Sequence, residues 1–71
     1  MHEIWSAEIG RWTYYILFSE TTTKWMLCRR HADPRDDDLV AQGVSRRKAP
    51  TPAHIIDEVI EELEAIQEGM K

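Results

Sequence analysis

Cys28 and His31 form a Cys-x2-His pair, and His2 and His54 would bring the set to four metal-binding side chains. Zinc sites are normally built from two close pairs. His2 and His54 stand alone at arbitrary spacing, so no metal is expected. Cys28 is also the one candidate nucleophile. A reactive thiol needs cationic neighbours that stabilise its thiolate. Arg29 and Arg30 follow Cys28 directly, but strand side chains alternate faces, so only Arg30 shares its side. A buried structural thiol is the expected state. Asp33, Asp36, Asp37 and Asp38 are rich in carboxylate yet lack the alternating spacing and central glycine of an EF-hand loop. Gly10, Gly43 and Gly69 are isolated and make no phosphate-cradling loop. With no paired acid and base and no pocket-sized scaffold, the chain is expected to be no enzyme and to use no cofactor.

What remains is binding chemistry, and the charges are unevenly placed. Residues 1–50 carry 8 Lys+Arg and 7 Asp+Glu, whereas residues 51–71 carry 1 and 6, within an overall charge of −4. The excess negative charge lies on one segment that includes Asp57, Glu58, Glu61, Glu62, Glu64 and Glu68. Such a run is ordinarily a solvated helix face. It can also meet a basic surface that otherwise holds nucleic-acid phosphates, because steering depends on the field and not on its chemical origin. Arg46, Arg47 and Lys48, with Arg29 and Arg30, form a candidate basic edge, unless they pair with Asp36 to Asp38.

The elements that must position these groups read clearly in places. Ile4 to Ile9 alternates, with Trp5, Ala7 and Ile9 on one side and Ile4, Ser6 and Glu8 on the other. Gly10 and Arg11 read as a turn, and Trp12 to Ser19 as the strongest strand, rich in aromatic and β-branched residues. After a polar connection, Lys24 to Arg30 is a third strand, with Trp25, Leu27 and Arg29 opposite Met26 and Cys28. Short connections favour an antiparallel meander. His31 to Asp38 reads as a loop with solvated aspartates, and Leu39 to Ser45 as a short fourth strand in preference to a helical turn. Thr51 is placed to cap a helix with Pro52 at its first position. Ile56, Val59, Ile60, Leu63 and Ile66 form its apolar stripe, with Ile55 at the edge. The expected whole is a single small α+β domain over residues 1–71. It is an antiparallel sheet of three, or with residues 39–45 four, strands (about 3–30), then a loop or short strand (31–50) and one helix (about 52–68) packed on one face.

Strand 12–19 is apolar on both sides. Trp12, Tyr14, Ile16 and Phe18 oppose Tyr15 and Leu17, although one helix covers only one face of a small sheet. Either the 31–50 segment covers the second face or another chain does. At least two of Trp5, Trp12 and Trp25 are expected to fill the core.

The chain has 71 residues, 42% hydrophobic and 31% charged, with one cysteine. That composition is globular. A chain this short buries only ~60% of its unfolded surface, and a lone cysteine precludes an internal disulfide, so a partner chain is the natural source of added stability. The longest apolar run, Tyr14 to Phe18, is far short of the ~20 residues that span a membrane. The first residues show no leader pattern, and a cytoplasmic protein with no membrane association is expected.

These features converge on a non-catalytic protein-binding module, a small acidic inhibitor or adaptor docking on a nucleic-acid-handling protein. In size and architecture alone it is similar to phage-encoded inhibitors, anti-CRISPR proteins among them, and to toxin-neutralising antitoxins; no motif ties it to either group. The candidate partner-binding residues are Tyr14, Tyr15, Trp25, Arg46, Arg47, Glu61, Glu62 and Glu68. A homodimer is the simplest closed way to bury the second face. The alternative is a sheet-type DNA-binding module that uses the basic edge.

Overall fold

Gly10 has φ +65°, and with Arg11 it makes a two-residue hairpin turn between β1 (His2–Ile9) and β2 (Trp12–Ser19). Positive φ at the first central position matches the type II′ pattern, whose twist suits antiparallel strands. A longer polar turn leads to β3 (Lys24–Arg30), and a 3-10 turn over Pro34–Asp36 leads to β4 (Asp38–Val44). The strands form one antiparallel sheet in the order β1-β2-β3-β4. The helix α1 (Pro52–Gly69) follows. This computed structural model describes the backbone of residues 1–69 and the side chains of residues 1–66; Glu68 therefore lies outside the described side chains. Among the described residues, no helix is long and apolar enough to cross a membrane.

Residues 39–44 thus form the strand expected of them, and Asp38 belongs to it instead of to the preceding loop. Register assigns the faces, since directly opposed residues share a side. Trp5, Ile16 and Leu27 align across three strands, and Phe18 and Trp25 across two. This side meets Ile55, Val59 and Leu63 of α1 in a core whose members are almost completely buried. Trp5 packs against that core, and Trp25 is part of it.

Two readings of side-chain direction change. A bulge between Glu3 and Trp5 turns Ile4 out of the alternation and brings it against the core beside Trp5. On α1 the centre of the apolar stripe is Ile55–Val59–Leu63, an i, i+4, i+8 row, while Ile56, Ile60 and Ile66 are only partly buried. Ile55 is therefore the middle of the stripe, not its edge. The start of α1 is capped reciprocally: the Thr51 hydroxyl accepts from His54 N–H at 3.3 Å, and Thr51 N–H donates to His54 Nδ1 at 3.2 Å. His54 here takes the role a Glu or Gln has in a capping box.

Candidate functional site

The side of the sheet away from α1 carries Tyr15, Leu17, Met26 and Cys28 along its centre, with Leu39 and Val44 toward the β4 edge. The 31–50 segment does not fold across it. Residues 38–44 extend the sheet instead, and only the 31–37 loop reaches this side, through Asp37. Tyr15 Oη donates to Asp37 Oδ2 at 2.7 Å, while Asp37 Oδ1 accepts from His31 N–H at 2.8 Å. These two bonds, led by the backbone one, hold the Asp37 carboxyl below its ordinary pKa, and the carboxylate pushes the Tyr15 phenol up. Arg30 lies 4.5 Å from the Tyr15 ring centroid and donates to Glu3 at 2.7 Å. Cys28 is buried beneath this group, and burial raises its thiol pKa, as a structural role requires. Leu17 and Met26, directly opposed, are half-buried, and Leu39 and Val44 are 48% and 61% exposed. Glu3 on β1 and Lys24 beside Val44 flank them, Glu8 and Arg30 stand at the Thr13 end of the same side, and Leu39 to Val44 carry no charge. An apolar centre with a charged rim is the anatomy of a protein interface.

On the other side, beyond α1, Asp38 organises a second cluster. Its Oδ2 accepts from Arg29 at 2.6 Å and from His31 Nε2 at 2.8 Å. A carboxylate only accepts, so Nε2 carries the hydrogen. Both partners lie against Trp12: the Arg29 guanidinium is 4.2 Å from its ring centroid and the His31 ring packs edge-on at 5.3 Å. The Arg29 bond, then the His31 bond, lower the Asp38 pKa. Asp37 and Asp38 are therefore not the solvated residues their DDD context suggests; both are partly buried acceptors.

The third cluster joins β4 to α1. Glu58 Oε1 accepts from Arg46 N–H at 3.3 Å and Ser45 Oγ at 3.4 Å, and the Arg46 guanidinium approaches Glu58 and Glu61 at 3.8 and 3.6 Å. Arg46 thus pairs with the acidic helix, not with Asp36 to Asp38. Beside it a shallow groove of about 330 Å³ runs between β4 and α1 over Trp25, Gly43 and Val44, walled by Arg46, Glu58 and Glu62.

The candidate partner-binding residues consequently occupy different surfaces. Tyr15 lies on the open face. Tyr14 and Trp25 lie on the helix side, Trp25 as buried core. Arg46 and Glu62 line the β4–α1 groove, while Glu61 lies with Arg46 and Arg47 on the adjoining surface; Arg47 is exposed, its N–H donating to Ser45 Oγ at 3.1 Å. Leu17, Met26, Leu39 and Val44 lie on the same face as Tyr15 but are not among the candidates, although the two-faced pattern of strand 12–19 points to Leu17. Among the described residues, no group of three or more His, Cys, Asp or Glu is placed to hold a metal ion. No family model, curated protein or solved structure matches the chain.

Proposed function

We propose that this chain is a non-catalytic protein-binding module, a small acidic inhibitor or adaptor, which docks its partner on the open face of the sheet. The observation that supports this reading is the uncovered apolar centre formed by Leu17 and Met26 beside Tyr15, with Leu39 and Val44 exposed at its edge. Desolvating such a patch is worth roughly 25 cal/mol per Å² before association costs.

The acidic face of α1 points to the kind of partner. Asp57, Glu61, Glu62 and Glu64 are exposed on a helix that lies across the sheet from the open face. A protein that handles nucleic acid carries a basic surface, and this helix would draw it in. Because the helix and the open face point in opposite directions, the acidic residues act on the rate of encounter more than on the bound contact. The DNA-binding alternative has less support, since Arg29, Arg30 and Arg46 each have a carboxylate partner within the chain.

The test is a photo-crosslinking residue at position 26 in the native host, set beside one at exposed position 64. A discrete protein adduct from position 26 alone supports the reading. Steeply salt-dependent binding to random duplex DNA, without a protein adduct, would favour the alternative.

A further inference from the structure

The two free edges of the sheet are not equally protected. Exposed edge strands are normally guarded by charge, proline, bulges or cover, since their unpaired backbone groups template another strand. β1 has a bulge and carries Glu3 and Glu8. β4 also has a bulge, at Val40, but from Leu39 to Val44 it holds no charged residue and no proline. Two of the three large hydrophobic residues most exposed among the described residues, Leu39 and Val44, stand on this one strand. Among the described residues, its outer backbone groups find no partner beyond β3. α1 leans toward β1 and β2, which leaves the groove over Gly43 open along the same edge.

From this edge we infer that β4 pairs antiparallel with β4 of a second copy, so that two four-stranded sheets join into one of eight strands. A second copy fits for two reasons. An antiparallel strand paired with itself about a two-fold axis satisfies both edges at once. Leu39 and Val44 of each copy then lie beside apolar residues of the other, on the same side of the joined sheet.

The contact is small. Seven residues span about 23 Å, and with a molecule 15 Å thick the buried surface is roughly 700 Å² for both copies together. That is below the ~1,200 Å² of a standard interface, so the dimer is weak and fills only at high concentration. It leaves both open faces free and side by side, and it does not rest on the function proposed above.

Sedimentation equilibrium from low-micromolar to near-millimolar protein should show the mass rising from 8.3 kDa toward twice that value. Over the same range, amide exchange of outward-facing β4 groups should slow while β1 is unchanged. Val44→Glu should abolish both effects; it stands opposite Lys24, so the new carboxylate gains a cross-strand partner and the fold is kept. A mass that stays at the monomer value throughout overturns the inference. So does a dimer whose β4 amides exchange at the monomer rate, which would place the contact on the sheet face.

Discussion

The indole of Trp25 occupies the space over Gly43 on the neighbouring strand: a Cβ built on Gly43 would stand 2.8 Å from Trp25 Cζ2. The two residues are directly paired, and Trp25 is 6% exposed. Glycine in β4 is therefore a packing requirement. An alanine in a strand ordinarily gains ~0.5–1 kcal/mol over glycine, but overpacking a buried ring costs ~1–3 kcal/mol, so the clash wins. Gly43→Ala should destabilise the domain by about 1–2 kcal/mol in urea titration. In the Trp25→Phe background the same change should cost much less; an equal cost in both backgrounds would show that the ring is not the obstacle.

The rotated stripe of α1 separates two isoleucines that sequence spacing treats alike. Ile55 is fully buried and Ile60 only partly so. Ile55→Ala should cost ~2–5 kcal/mol, a large share of the margin of so small a domain. Ile60→Ala should cost less than half as much. Denaturation midpoints with unchanged slope decide it, and the reverse ranking would return the centre of the stripe to Ile56 and Ile60.

Thr23 closes the β2–β3 turn with φ +54°, a conformation costly for a β-branched residue. It is held there while its carbonyl accepts from Ser45 N–H at 2.9 Å, a bond that glycine keeps. Relief of ~1–3 kcal/mol of backbone strain outweighs the ~0.5–1 kcal/mol entropic cost of glycine. Thr23→Gly should therefore stabilise the protein by about 0.5–1 kcal/mol, read as a raised urea midpoint.

Local pattern carried most of the architecture. Trp12–Ser19 and Lys24–Arg30 have the expected bounds because β-branched and aromatic runs end at turn residues, and the helix start follows from Thr51 and Pro52. Long-range geometry was not legible. A bulge changes the direction of Ile4 without any change in composition. Asp37 and Asp38 look solvated until the β3–β4 register brings Asp38 beside Arg29 and the loop carries Asp37 to Tyr15, 22 positions away. Arg46 and the acidic helix read as two charge patches, but the crossover between them pairs them. The doubly apolar Trp12–Ser19 strand signalled a second apolar face and left open whether the 31–50 segment covers it; the fourth strand expected at residues 39–45 widens the sheet.

Acid should loosen the Asp37 and Asp38 clusters. Both carboxyl groups lie below their ordinary value of 3.8 in the folded chain, so their contribution is fully present above that value and is lost as pH falls below it, through the lowered folded values. Urea midpoints measured downward from neutral pH should stay level on this account until near pH 4 and then drop. Asp37→Asn should be less stable than wild type at neutral pH, with the gap narrowing in acid. A constant gap through pH 3 would mean that the Asp37 charge is not what secures the loop to Tyr15.

That the open face is the protein-docking surface is tested most directly by making its centre polar without unfolding the sheet. Leu17 and Met26 oppose each other across β2 and β3, so Leu17→Lys with Met26→Glu adds a cross-strand ion pair where two apolar side chains stood. The measurement is calorimetric affinity for the partner recovered with the tagged wild-type chain, after circular dichroism has shown the double variant folded. Loss of at least about tenfold in affinity is expected, as for the centre of an interface. Unchanged affinity in a folded double variant would contradict the open face as the docking surface.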